Sequence, residues 1–114
     1  MALSESTFLI LSALAGRPLH GYGLVQQVQA LSDGRVRLSV GTLYRTLDRL
    51  AEDGLVRMER EEVVGGRLRR YYQLTDGGAA TLDAEVHRMR QDADMAAERL
   101  RARALGRPGW APSS

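Results

Sequence analysis

The sequence contains no cysteine and no lysine. Without cysteine, disulfides, thiolate nucleophiles and thiolate metal sites are excluded. The two histidines, His20 and His87, lie far apart in the chain and in unrelated contexts. A metal site would have to be built mostly of carboxylates, and no cluster of them suggests one, so neither a metal nor another cofactor is expected. No apolar run approaches the roughly 18 residues that a membrane span requires. The opening Met1-Ala2-Leu3-Ser4-Glu5-Ser6 lacks the basic region of a secretory signal. The expectation is a cytoplasmic protein without membrane contact. No nucleophile–base pair, acid dyad or phosphate loop is present, and an enzyme is not expected.

What remains is 114 residues, 44% hydrophobic and 26% charged, enough for one globular domain with a modest core. All 16 cationic side chains are arginine, and the formal net charge is only +2. A G+C-rich coding sequence accounts for the total. Placement carries more information, because an arginine fork binds phosphate or guanine bidentately where lysine does not. A net charge this small argues for nucleic acid only if the arginines gather on one face.

Residues Ser39 to Gly54 organise the rest. Leu43, Leu47 and Leu50 recur at i, i+4 and i+7 and so share one helical face. Ser39 is a suitable N-cap and Gly54 a suitable C′ residue. The opposite face carries Thr42, Tyr44, Arg45, Thr46 and Arg49. Hydroxyls, an aromatic ring and guanidinium groups are the groups that contact phosphates and base edges. The stretch reads either as the recognition helix of a helix-turn-helix or as an amphipathic surface helix with a solvated polar face.

Its neighbours favour the first reading. Ser4 to Ala15 reads as a helix with Phe8, Leu11 and Leu14 on one stripe, stopped by Gly16-Arg17-Pro18. A second helix starts at His20-Gly21-Tyr22-Gly23, buries Leu24, Val28 and Leu31, and ends at Ser32-Asp33-Gly34. Its two early glycines fit a close backbone approach, to a phosphate or to the next helix. Arg35-Val36-Arg37-Leu38 is a short extended connector. After Gly54 the period changes from 3.6 to 2. Residues 55–60 and 68–74 read as paired strands, with 61–67 between them and Gly65-Gly66 at the tip. Helix-turn-helix followed by a hairpin is a winged helix.

The second half of the wing carries Arg67, Arg69 and Arg70. Arginine beside a glycine tip suits a minor groove. The competing reading pairs these residues across the hairpin with Glu59, Glu61 and Glu62 as weak surface ion pairs. Arg67, at the tip, has the least cross-strand company and is the favoured DNA contact.

Thr75-Asp76 opens a last helix, in which Leu82, Val86, Met89, Ala93, Ala96 and Leu100 are spaced 4, 3, 4, 3, 4 with charged flanks. That is a heptad seam. A helix this long on so small a domain is expected to pack against a copy of itself, the alternative being a helix folded back along its own domain. The expected architecture is mostly α with a small β-hairpin: a winged helix-turn-helix over 1–75, a dimerisation helix over 76–105, and a flexible tail over 106–114 that includes Trp110.

Three segments occur in order: His20-Gly21-Tyr22-Gly23-Leu24, then Gly41-Thr42-Leu43-Tyr44 with Leu47-Asp48-Arg49-Leu50-Ala51-Glu52-Asp53-Gly54-Leu55-Val56, then Arg70-Tyr71-Tyr72-Gln73-Leu74-Thr75-Asp76-Gly77-Gly78. Together they resemble the PadR family of bacterial transcriptional regulators, over about residues 4 to 85, in its short form with a single C-terminal dimerisation helix. The resemblance implies a homodimeric repressor of a palindromic double-stranded operator. It implies that Tyr22 meets backbone phosphate, that Thr42, Tyr44 and Arg45 face the major groove, and that Arg67 and Arg69 belong to the wing. Ser39 at the cap and Arg49 on the same polar face are further expected DNA contacts. Two positions depart from the family: Val40 and Arg45 stand where proline is frequent, so inference of the operator from relatives is unsafe.

Many members of the family release DNA on binding small aromatic or drug-like molecules. In this chain an effector, if one is used, is expected near Phe8, Met89 and Ala93, where the seam is least filled; the alternative is no ligand at all, with control by protein abundance. The stacking rings of the short multidrug-responsive members are missing, for no aromatic lies between Tyr72 and Trp110. The alternative function is a winged-helix module for protein contact without DNA binding, and the arginines of the recognition helix and wing are what separate the two.

Overall fold

The computed structural model describes residues 3–106; Trp110 and the rest of the expected tail beyond Gly106 lie outside the described residues. The elements are α1 (Glu5–Gly16), β1 (Leu19–His20), α2 (Gly21–Leu31), α3 (Val40–Glu52), β2 (Val56–Val64), β3 (Arg67–Leu74) and α4 (Asp76–Gly106). The chain divides into two compact units, one ending at Asp83 and one beginning at Ala84.

In the first unit each helix is started by a side chain that satisfies an orphan amide. Ser4 Oγ accepts from Thr7 N at 3.2 Å at the head of α1, and Ser39 Oγ accepts from Thr42 N at 3.2 Å at the head of α3. Helix α2 ends through Ser32, Asp33 and Gly34. Gly34 N donates to Gln29 O at 2.7 Å, with positive φ at both Asp33 and Gly34. The core is Ile10, Leu11 and Leu14 of α1, Leu24 and Val28 of α2, and Leu43, Leu47 and Leu50 of α3, closed by Val56 and Tyr72 of the sheet. Leu31, expected in this stripe, is instead exposed, because α2 ends there.

The sheet departs from the expected two-stranded hairpin in two ways. It has three strands in the order β1-β3-β2, with Leu19 opposite Tyr72 and His20 opposite Tyr71. Its hairpin is also longer, since β2 runs on through Val64 and β3 begins at Arg67, leaving only Gly65-Gly66 as the turn. Both glycines have positive φ, at 59° and 77°, which a two-residue hairpin turn matched to strand twist requires. A bulge at Glu59 interrupts the β2–β3 register between Met58 and Arg60.

The second unit is the remainder of α4. Within it Glu85 accepts two hydrogen bonds from Arg88, at 2.8 and 2.9 Å, and Arg88 also reaches Asp92 at 3.0 Å. From Met89 onward every residue through Gly106 is exposed. No helix among the described residues is long and apolar enough to cross a membrane.

Leu47 is fully buried at the centre of the core. Replacing it with alanine should lower the unfolding free energy by about 2–5 kcal/mol. Urea denaturation followed by circular dichroism measures this, and a loss well under 1 kcal/mol would show that α3 does not depend on its apolar face.

Candidate nucleic-acid interface

Burial of Leu43, Leu47 and Leu50 leaves the opposite face of α3 in solvent. The first turns of that face hold a short chain of polar groups. Ser39 Oγ donates to Thr42 Oγ1 at 2.9 Å, and Arg45 Nη2 donates to the same oxygen at 3.3 Å. Thr46 spends its hydroxyl on the carbonyl of Thr42 at 2.9 Å, inside its own helix. Arg45 and Arg49 are exposed and meet no carboxylate among the described residues. The connector adds Arg37, exposed two residues before the cap. Val36 and Leu38 turn inward, so Arg35 and Arg37 turn outward, and Arg35 is taken by Glu5 while Arg37 is not. That alternation was present in the sequence and is the signal that finds Arg37.

Tyr44 sits differently from the rest of its face. It is half-buried, and its phenol lies against the backbone of Gly21 at the head of α2. A Cβ placed on Gly21 would come within 2.5 Å of the Tyr44 hydroxyl. Gly21 thus serves the approach of the next helix. Tyr22, its neighbour, is 65% exposed.

The wing is divided between paired and unpaired arginines. Arg70 meets Glu61 at 3.4 Å. Glu59 and Glu62 both turn to Arg60, and Glu62 also accepts from the Tyr71 hydroxyl at 2.7 Å. Arg69 stands opposite Glu62 in the register and Arg67 opposite Val64, yet neither forms an ion pair among the described residues. Cross-strand pairing therefore claims Arg70 and leaves Arg67 and Arg69.

The wing is tied to the helices through aromatic contacts. The Arg60 guanidinium lies 4.0 Å above the centroid of Tyr71, and the His20 ring meets Tyr71 edge-on at 5.3 Å. His20 also caps α2, its Nδ1 accepting from Gly23 N at 3.4 Å. Histidine is not among the usual capping residues, which is why the sequence did not mark it.

These elements enclose a groove of about 480 Å³, lined by His20, Gly21 and Tyr22 of the α2 head, Val40 and Tyr44 of α3, and Arg67 to Arg70 of the wing. One wall is a helix N-terminus and the other carries free arginines, an arrangement that attracts anions. Of the residues expected to meet DNA, the groove gathers Tyr22, Tyr44, Arg67 and Arg69, while Ser39, Thr42, Arg45 and Arg49 lie along α3. A second groove, of about 540 Å³, follows α2 from Tyr22 to Gly34. Phe8, Met89 and Ala93, the expected effector residues, line neither of these grooves. Phe8 packs against the core, and Met89 is 44% exposed on α4.

The order α1-α2-α3, with α3 carrying a wet polar face and followed at once by a β2–β3 wing, defines a winged helix-turn-helix protein. Residues 10–84 match the model of the transcriptional regulator PadR-like family. The transcriptional regulator YqjI of Escherichia coli strain K12 is 34% identical over 102 residues, which are 90% of this chain and 45% of that protein; the chain thus spans less than half of that relative's length. A crystal structure of a PadR family transcription regulator from Clostridium difficile R20291 is similar over 85% of this chain and 99% of that one, with a TM-score of 0.70 and 24% identity. Bacillus subtilis PadR in complex with operator DNA is similar over 70% of this chain and 46% of that one, with a TM-score of 0.63 and 22% identity. The chain belongs to the PadR-like family of transcriptional regulators.

Burial of His20, the cap on α2, should make stability depend on pH. Burial lowers the His20 pKa below its ordinary 6.5, Arg69 lowers it further, and Glu62 opposes them. Just below the ordinary value the unfolded chain binds the proton more fully than the native chain does. Stability should therefore fall as pH drops from about 7 toward 5. Urea midpoints across that range should decline less in His20→Asn, which keeps an acceptor at the cap without titrating. An identical decline in the variant would remove His20 from the pH response.

Proposed function

We propose that the protein is a sequence-specific DNA-binding transcriptional regulator, acting as a homodimeric repressor on a palindromic operator. The observation that carries this reading is the distribution of arginine. Among the described residues, Arg45 and Arg49 on α3 and Arg67 and Arg69 on the wing stand free of carboxylates, on the two elements that flank the groove at the α2 head. In this reading α3 enters the major groove, with Thr42 and Arg45 at base edges and Ser39 and Arg49 beside them. Tyr22 and Arg37 meet phosphates on either side. Arg67 and Arg69 follow the backbone into the adjacent minor groove. The operator complex of the Bacillus subtilis relative supports the same use of the fold.

The homodimer rests on α4. Its 31 residues extend about 46 Å at 1.5 Å per residue. Met89, Ala93, Ala96 and Leu100 of the seam are exposed, as are Met95 and Leu105 outside it. A second copy laid along Leu82, Val86, Met89, Ala93, Ala96 and Leu100 would remove the apolar surface of the seam from water. An effector that wedges at Met89 and Ala93 would alter the separation of the two recognition helices, and release of DNA would follow. The protein-contact reading is favoured by one observation, the cross-strand pair Val63 and Leu68, which the wing leaves 72% and 55% exposed.

Selection from random duplexes tests the function directly: an enriched palindrome is expected, and the absence of any enriched sequence would favour the protein-contact reading. On the selected duplex Arg45→Ala should cost about 1–3 kcal/mol and relax preference at one base position. Arg69→Ala should weaken binding to all duplexes alike and lower the slope of log affinity against log salt by about 1. Arg70→Ala, already paired with Glu61, should do neither. Equal weakening of selected and random DNA by Arg45→Ala would remove the base-reading role.

The seam makes a separate prediction. Val86→Asp would place a charge in an apolar interface, at a cost of several kcal/mol. Sedimentation should then show a monomer at micromolar concentration, and a variant that stays dimeric would locate the interface elsewhere.

A further inference from the structure

The segment Thr75-Asp76-Gly77-Gly78 joins the wing to α4, and its contacts run to the end of α3. The Thr75 hydroxyl is used twice. It donates to the carbonyl of Gly54 at 2.6 Å and accepts from the amide of Gly78 at 3.0 Å. The Thr75 amide donates to the carbonyl of Leu55 at 3.1 Å. Gly78 is buried against that same Leu55 carbonyl, where a Cβ would collide with the oxygen, and the Cβ would also come within 2.7 Å of Leu74 Cδ1. At Gly77 a Cβ would stand 3.3 Å from Gly54 O. Gly54 itself follows the last residue of α3 and its cap, Asp53, with a φ of 75°. The first turn of α4 is therefore seated on the two carbonyls that follow the recognition helix. Only serine could replace Thr75 as both donor and acceptor at that reach.

We propose that Thr75 and Gly78 are positioning residues, which hold the first turn of α4 against the end of α3 and so set the half-site spacing that the dimer accepts. The inference rests on the dimeric DNA-binding reading given above. The seat's contacts, both Thr75 hydroxyl bonds and the packing of Gly78, lie apart from the polar face of α3. Loosening them would free the spacing between half-sites while leaving the contacts to one half-site intact.

The probe is the palindromic duplex selected from random DNA by the unaltered protein, with derivatives in which the half-sites are moved apart or together in single base-pair steps, and a duplex with one half-site. Thr75→Val removes both hydroxyl bonds at nearly constant volume. It should bind the original spacing about tenfold more weakly, with its optimum shifted or broadened, while half-site binding and dimer mass stay unchanged. Thr75→Ser should restore the sharp optimum, and Gly78→Ala, if it folds, should behave as Thr75→Val does. A Thr75→Val protein with the original optimum and affinity overturns the proposal, as does one that fails to fold by circular dichroism, which would make the role purely structural. An unaltered protein indifferent to spacing overturns the dimeric reading and this inference together, so the two failures are distinguishable.

Discussion

Everything in the first unit depends on the burial of one face of α3. Leu43, Leu47 and Leu50 are sealed against Ile10, Leu11, Leu24 and Val28, and this dry contact is what keeps the opposite face wet and oriented. A 13-residue helix isolated in water is marginal, so packing rather than propensity holds α3 in shape. The remaining elements are placed by reference to it. Helix α2 meets it through Gly21 and Tyr44, the sheet closes the core with Val56 and Tyr72, and the first turn of α4 sits on the carbonyls at its end. The polar side chains of α3 are small in number, but each is aimed by a contact on the other side of the helix.

Electrostatics then select among residues that look alike in sequence. Three arginines follow the wing tip within four positions, and the structure gives them different circumstances. Arg70 meets Glu61, whereas Glu62, opposite Arg69, is drawn away by Tyr71 and Arg60. The stack of Arg60 on Tyr71, with His20 at the ring edge, binds all three strands of the sheet at its base. A wing anchored in this way holds Arg67 and Arg69 beside the α2 head without ion pairs of their own among the described residues. Surface pairs are worth at most about 1 kcal/mol each, so their value here lies in leaving certain cations free rather than in stability.

The helices were legible because their caps and periods agree. Ser39, the leucine spacing and Gly54 bracket α3 to within a residue, and Thr75 marks the start of α4. The strands were less so. Glu61, Glu62, Val63 and Val64 lack an apolar–polar alternation, because both faces of the hairpin stand in solvent there, and a strand exposed on both sides has the composition of a loop. Strand β1 is two residues long and has no period at all. In the candidate site, the basic and hydroxyl residues were readable from type and spacing. The seating of Tyr44 on Gly21, the cap from His20 and the partition of the wing arginines were not, since each depends on a partner distant in sequence. Gly78 was visible as a residue of the family motif, but its reason, the Leu55 carbonyl, exists only in the folded chain.

The central claim is that the wet edge of α3 reads bases in the major groove. Replacing purines one at a time by their 7-deaza analogues, in the duplex the protein selects, removes an acceptor found only in that groove. The account predicts two clusters of sensitive positions centred about one helical turn apart, roughly 34–36 Å, with sensitivity at one position of each cluster lost in Arg45→Ala. Binding that is indifferent to every 7-deaza substitution would contradict it.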